Sequence, residues 1–145
     1  MLSSLPLAVG ALIALQFGVN AALRGFLGSS AFFATCVSYA VGTLASLGCL
    51  LVLRPAVPSW SRVAAVPWWA WTGGAIGVGY VTASVLLAPR LGATRLIVLV
   101  VVGQLLASVI FDHYGLLGYA VRSFNGWRAL GCVLLVAAVL LIKAK

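Results

Sequence analysis

Polar side chains recur at helical spacing inside the apolar runs of this chain, and they are the residues that could do chemistry. Gln104, Ser108 and Asp112 follow one another at intervals of four, so all three share one side of a helix. Gln16 and Asn20 repeat the same interval earlier in the chain. Because amides and hydroxyls both donate and accept hydrogen bonds, these side chains suit the binding of a polar or zwitterionic organic solute.

The same side chains have a second interpretation, which the sequence leaves open. Amides and hydroxyls also join membrane helices through hydrogen bonds worth about 1 kcal/mol or less each. Against that, polar groups without a purpose are costly in lipid. Ser38, Tyr39 and Tyr80 complete the candidate binding set, although amphipathic aromatic side chains also anchor or pack helices.

Asp112 and His113 are the only acidic residue and the only histidine, which makes them the candidates for proton coupling or gating. Asp112 lies about seventeen residues beyond Arg95, hence roughly 25 Å away and near the opposite membrane interface. His113 is about 100° further round the helix, so the two side chains do not converge. An ion pair of Asp112 with Arg122 or Arg128 explains the carboxylate equally well.

The sequence offers no catalytic or metal-binding set. There is a single carboxylate, no Ser/His/Asp arrangement and no cluster of converging ligands, so we expect no enzymatic activity, no metal and no cofactor. Cys36, Cys49 and Cys132 are odd in number and widely spaced, which predicts free thiols.

Composition places these residues in a membrane. The 145 residues are 64% hydrophobic and 7% charged, whereas soluble domains carry about 25% charged residues. The net charge of +8 comes from Lys and Arg that stand singly between apolar runs, as interface anchors do. We therefore exclude nucleic acid as a partner and expect the lipid bilayer instead.

Cutting the chain at its charged residues predicts an all-α integral membrane protein with about five transmembrane helices in one domain, residues 1–145. The predicted spans are residues 5–23, 31–53, 67–88, 94–111 and 126–142. The last span is only about 21 Å long between Arg128 and Lys143, so four spans remain the alternative.

The positive charges give no clear orientation. Five spans place four Lys/Arg on one side and five on the other, whereas the positive-inside rule needs an excess. One interpretation is that an insertase or one dominant loop sets the orientation. The other is dual topology, in which two oppositely inserted copies form an antiparallel homodimer with the ten-helix, inverted-repeat architecture of many transporters.

Two glutamines are predicted to lie at the same depth in the membrane. Gln16 lies eight residues before Arg24 and Gln104 nine after Arg95, and both arginines fall on the same predicted side. Each glutamine is therefore roughly 12–14 Å deep, near the middle of a hydrocarbon core about 30 Å thick. In an antiparallel dimer four amides could ring a site at the midplane, where transporter substrates commonly bind.

Several motifs match a known group of membrane proteins. They are Gly10 to Gln16 with Asn20, Ser38-Tyr39, Gly42-Thr43, Trp68 to Gly74, Pro89 to Gly92, Gly103 to Ser108 and Asp112 to Leu116. With these the chain resembles the YdcZ-like family of bacterial inner-membrane proteins, in the drug/metabolite transporter superfamily. The resemblance implies about five helices, the bacterial inner (cytoplasmic) membrane and antiparallel pairing or its fused equivalent. It implies no particular substrate.

One branch of that superfamily, the small multidrug-resistance proteins, relies on a glutamate in the first helix. This chain has no acidic residue there, so the proton/cation exchange of that branch does not carry over. The leading hypothesis is a secondary transporter that moves a small polar metabolite or drug-like solute by alternating access. The alternatives are a small dual-topology ion channel, which would need a charged or carbonyl-rich filter, and a non-transporting membrane scaffold.

Overall fold

The structure is a computed structural model that describes residues 4–143, and this part of the chain is helical, without a strand. Four helical segments are long and apolar enough to cross a membrane: Ser4–Leu27, Ala31–Leu53, Trp68–Leu91 and Ala93–Tyr114. A further apolar helix, Gly126–Ile142, is shorter. The predicted all-helical membrane class is therefore confirmed, whereas the fifth span and the antiparallel dimer stay predictions.

The chain divides into two compact units, the first ending at Arg90 and the second beginning at Leu91. This division into units does not test the prediction that residues 1–145 form one transmembrane domain, which stays a prediction. The helices of the first unit are α1 (Ser4–Leu27), α2 (Ala31–Leu53), the short α3 (Trp60–Ala64), a 3₁₀ helix (Trp68–Thr72) and α4 (Gly73–Leu91, in this unit up to Arg90).

Local signals in the sequence set both ends of α2. At its start, the Ser30 side chain accepts a hydrogen bond from the Phe33 N–H at 3.2 Å and so caps the helix. At its end, Arg54 adopts a left-handed conformation with φ of +45°, and its N–H donates to the Leu50 carbonyl. Pro55 follows, and proline cannot continue a helix. These caps explain why α2 matches its predicted range.

Two other helices run past the residues predicted to end them. α1 continues through Arg24 to Leu27, because a single basic residue in a last turn is compatible with helix and favoured by its dipole. α4 continues through Pro89 to Leu91, whereas the predicted span ends at residue 88. Proline forfeits only one backbone hydrogen bond, a small loss in a last turn. Gly92 alone, with φ of +77°, separates α4 from α5.

A small apolar core packs the first unit together. Its buried members are Ala31, Val81 and Val85. The rings of Tyr39 and Tyr80 pack against this cluster, and the Tyr80 ring centroid lies 5.7 Å from that of Phe17, which is buried on α1. Since lipid is as apolar as these side chains, close packing and hydrogen bonds must hold the helices together.

One buried hydrogen bond joins α2 to α4. The Thr82 hydroxyl donates to the Thr35 hydroxyl oxygen at 3.0 Å, and Thr35 in turn donates to the Ala31 carbonyl at 2.9 Å. Both threonines are buried. The pair therefore satisfies two hydroxyls and fixes the register of the two helices.

The second unit consists of two helices and their connection. Its elements are α5 (Ala93–Tyr114), a 3₁₀ turn (Leu116–Gly118) and α6 (Gly126–Lys143). α5 ends at Gly115, which is left-handed with φ of +61° and donates its N–H to the Phe111 carbonyl. Because Gly115 is the first residue that readily takes this conformation, Asp112 and His113 lie in the last helical turn. The predicted span ends at residue 111, whereas the helix continues to Tyr114.

The Thr35–Thr82 contact makes a test of the first unit's packing. Thr35→Val and Thr82→Val should each lower the free energy of unfolding by about 1 kcal/mol, because each leaves the other hydroxyl short of a partner. The double variant should lose about 0.6–1 kcal/mol less than the sum of the two. Thr43→Val is the control on the same helix, and its effect should be near zero. Strictly additive effects would contradict the contact.

Candidate functional site

A groove opens in the first unit, with a volume of about 490 Å³ and several polar side chains in a largely apolar lining. Its lining consists of Gln16, Ser38, Tyr39, Gly42, Thr43, Ser46, Leu47 and Val81. Gln16 lies at the middle of α1 and Gly42 at the middle of α2. A volume of this size is within the range of pockets that hold small molecules, about 300–1,000 Å³. The groove is thus a mid-helix cavity of ligand size.

Helix α2 supplies most of the groove because its polar residues share one face. Tyr39, Thr43 and Ser46 are spaced by four and three residues, which stacks them along one side of a helix. α1 adds Gln16 and α4 adds Val81. The predicted binding set omits Thr43 and Ser46, and their helical spacing from Tyr39 is the signal that would have added them.

Three groove residues have hydrogen-bonding groups without a partner. Among the described residues, the Gln16 amide, the Tyr39 hydroxyl and the Thr43 hydroxyl make no hydrogen bond. Ser46 differs, because its hydroxyl donates to the Gly42 carbonyl at 2.9 Å within the helix. The groove therefore presents one amide and two hydroxyls that could all bind a solute.

Four polar residues of the first unit are buried as whole residues, and the side chain of each makes a hydrogen bond. They are Asn20, Thr35, Thr82 and Ser84. Asn20 is 4% exposed and accepts a hydrogen bond from the Ser38 hydroxyl at 2.9 Å, which joins α1 to α2. Ser84 donates to the Tyr80 carbonyl at 2.8 Å. Of the predicted binding residues, Asn20 therefore holds helices together, and it also orients Ser38 at the groove.

The two tyrosines of the candidate set have different surroundings. The Tyr39 hydroxyl lies against Gly77 of α4, where a side chain would collide with it. The Tyr80 ring packs against Phe17, and its hydroxyl is buried without a hydrogen-bond partner in the described chain. Tyr80 is not among the groove-lining residues. Tyr39 is thus the tyrosine that faces the groove.

The second unit carries the other predicted amide and hydroxyl. Gln104 is exposed on α5 and makes no hydrogen bond within the described residues. The Ser108 hydroxyl is also exposed and donates to the Leu105 carbonyl at 2.8 Å. The predicted convergence of Gln104 with Gln16 stays a prediction.

Asp112 forms an ion pair at the end of α5. Its carboxylate accepts a hydrogen bond from Nη2 of Arg128 at 3.1 Å, which is one of the two arginine partners considered from the sequence. Nη1 of the same arginine donates to the Arg122 carbonyl at 3.1 Å, and the Arg122 N–H donates to the Asp112 carbonyl at 2.7 Å. Arg128 therefore ties the connecting segment to both helices of this unit.

His113 also stabilises the α5–α6 connection, through a separate hydrogen bond. Its Nδ1 accepts a hydrogen bond from the Phe124 N–H at 3.3 Å, and its ring meets the Tyr114 ring edge-on at 4.8 Å. The Asn125 side chain then caps α6 by accepting from the Arg128 N–H at 3.0 Å. Coupling or gating by Asp112 and His113 stays a prediction.

No metal site is formed by the described part of the chain. Across residues 4–143, no three side chains of His, Cys, Asp or Glu come together as metal ligands would. The three cysteines, Cys36, Cys49 and Cys132, are free thiols. The arrangement in the first unit suits hydrogen bonding to a solute, and that in the second unit fixes a connection.

The Gly77 contact yields a test of how Tyr39 is placed. Gly77→Ala should displace the Tyr39 ring with little loss of stability, because the atom displaced is the far end of a flexible side chain. Fluorine NMR of fluorotyrosine at position 39 should show a changed chemical shift. Gly79→Ala is the matched control, since a methyl group there meets nothing within 4 Å. Identical spectra for the two variants would contradict the contact.

The ion pair yields a second test. Asp112→Asn should destabilise the α5–α6 connection, residues 115–125, and raise the rate of amide hydrogen exchange there by up to about fivefold. The pair is worth about 0.2–1 kcal/mol because both side chains are partly exposed, at 29% for Asp112 and 27% for Arg128. Arg128→Lys should raise the exchange rate in the same way, since lysine cannot reproduce the two guanidinium donors that contact Asp112 and Arg122. Arg62→Lys is the control, and unchanged exchange in the Asp112 variant would refute the role.

The sequence matches a known protein family along nearly its whole length. The family model described as "Putative inner membrane exporter, YdcZ" matches residues 1–141. No curated protein matches the chain, and no solved structure matches it. The family's location fits the four apolar helices of membrane-spanning length. Because the match covers nearly the whole sequence, this chain belongs to the YdcZ family of inner-membrane proteins.

Proposed function

We propose that this protein is a secondary transporter that exports a small polar organic solute and binds it in the groove of the first unit. The family to which the chain belongs is one of inner-membrane exporters, which supports transport as the class of function. The observation that carries the site is the set of unpaired groups on Gln16, Tyr39 and Thr43.

The energy of unpaired polar groups explains why this set points to a ligand. A polar group that is removed from water without a partner costs about 1–3 kcal/mol. The chain meets this demand at Asn20, Thr35, Thr82 and Ser84, all of which are buried and bonded. The groove residues Gln16 and Thr43 are exposed and Tyr39 is half-buried, and all three lie near the middle of their helices. Inside a membrane they would need water, a solute or a second chain as hydrogen-bond partner.

We further propose that the working unit is an antiparallel homodimer. Its support is the balance of Lys and Arg, four on one predicted side and five on the other, which permits insertion both ways. Alternating access would then move one copy against the other around the bound solute. Gln104 and Ser108 are proposed as the second polar set of this transporter, since the Gln104 amide is also unpaired.

Substitution of Gln16 tests the site directly. Gln16→Leu keeps the approximate size of the side chain and removes the amide, so transport by the reconstituted protein should fall about two- to tenfold. Gln16→Asn keeps an amide and should retain part of the rate. Transport is measured as swelling of proteoliposomes by light scattering, with a panel of small polar solutes.

The control variant is Val19→Leu, at an exposed position of the same helix. It should transport as well as the unsubstituted protein. If Gln16→Leu leaves every solute rate unchanged, the amide only packs helices and the proposed site is wrong. Electrical currents of channel size would contradict a carrier mechanism.

A further inference from the structure

We infer that the groove accepts only uncharged solutes and passes them without coupling to protons, so that export is driven by the gradient of the solute itself. This inference rests on the proposed function, and it names the substrate class and the driving force. Its basis is that the groove lining contains no charged side chain, together with the positions of the ionisable residues along the sequence.

A cationic solute would find no counter-charge in the groove. The lining contains an amide, hydroxyls and apolar groups, and no carboxylate. Residues 1–90 contain no Asp or Glu at all. The single acidic residue of the chain, Asp112, lies in the second unit and is already paired with Arg128. Burying a charge without a counter-charge is far costlier than burying a hydrogen-bonded neutral group.

An anionic solute lacks a partner for the same reason. None of the eight lining residues is Lys, Arg or His. The arginines of the first unit lie at helix ends or in the α2–α4 connection, as Arg24, Arg54, Arg62 and Arg90 do. The groove is at the middle of α1 and α2, about two turns or more from these ends. Hydrogen bonds to a neutral solute are the recognition that remains.

Proton coupling needs a group in the site that changes its charge during the cycle. Asp, Glu and His are the side chains that commonly serve as proton relays in membrane transporters. None of them lines the groove. A neutral solute in a groove without such a group crosses the membrane without net charge and without a proton.

The lining also indicates the functional groups of the solute. Gln16 offers both a donor and an acceptor, and the hydroxyls of Tyr39 and Thr43 each do the same. The ring of Tyr39 adds an apolar surface, and Leu47 and Val81 add two more. This combination suits a small molecule with several hydroxyl or amide groups on a compact carbon skeleton.

Sets of related solutes that carry different charges test the inference. One set is glucose, glucosamine and glucuronate, and another is N-acetylglycinamide, glycinamide and N-acetylglycine. At about pH 6, below the pKa of amino groups and above that of carboxyl groups, each set contains a neutral, a cationic and an anionic member. The full-length protein is reconstituted, and uptake is compared with Gln16→Leu and Val19→Leu.

We expect Gln16-dependent uptake of a neutral member at a rate at least about tenfold above its charged relatives. An imposed pH gradient or a potassium-diffusion potential should leave that rate unchanged, and a pH-sensitive dye inside the vesicles should report no proton movement. Gln16-dependent uptake of a charged member, or accumulation driven by the pH gradient, would overturn the inference and leave the proposed transporter standing. Failure of every solute to show Gln16-dependent uptake would overturn the proposed function as well.

Discussion

The structure depends on one constraint, which is that a polar group inside a bilayer must have a hydrogen-bond partner. The first unit meets this demand with interhelical contacts: the amide of Asn20 bonds to Ser38 between α1 and α2, and two threonine hydroxyls bond between α2 and α4. Hydrogen bonds and close packing together hold these helices, because lipid is as apolar as the side chains of the small core. In the groove, the Gln16 amide and the hydroxyls of Tyr39 and Thr43 make no hydrogen bond within the described residues.

The single carboxylate of the chain has a structural role in the second unit. Asp112, Arg128 and the backbone of Arg122 form a connected set that holds the α5–α6 connection, with His113 as an additional contact. The consequence for function is one of charge. Under the proposed function, recognition in the groove falls to amides and hydroxyls, because its lining contains no charged side chain.

The sequence predicted the membrane class, the mid-helix position of Gln16 and the position of Asp112 near a helix end, because each depends only on composition and distance along a helix. The sequence did not show that Asn20 forms an interhelical hydrogen bond whereas Gln16 lines the groove, because the two residues share one helix face. Their difference is that Asn20 meets Ser38 on another helix, a contact between residues eighteen apart. The continuation of α4 through Pro89 and the end of α5 before Gly115 likewise depend on backbone geometry, which residue type only biases.

Binding of a solute in the groove, as proposed, requires that water reaches the middle of α1 and α2, and thiol labelling tests this access most directly. In a variant without Cys36, Cys49 and Cys132, a cysteine at position 43 would line the groove, and one at position 44 would sit at the same depth on an exposed apolar surface. A water-soluble thiol reagent should modify Thr43→Cys and spare Leu44→Cys. Equal protection of both cysteines would contradict the account, since it would mean that lipid or packing fills the groove.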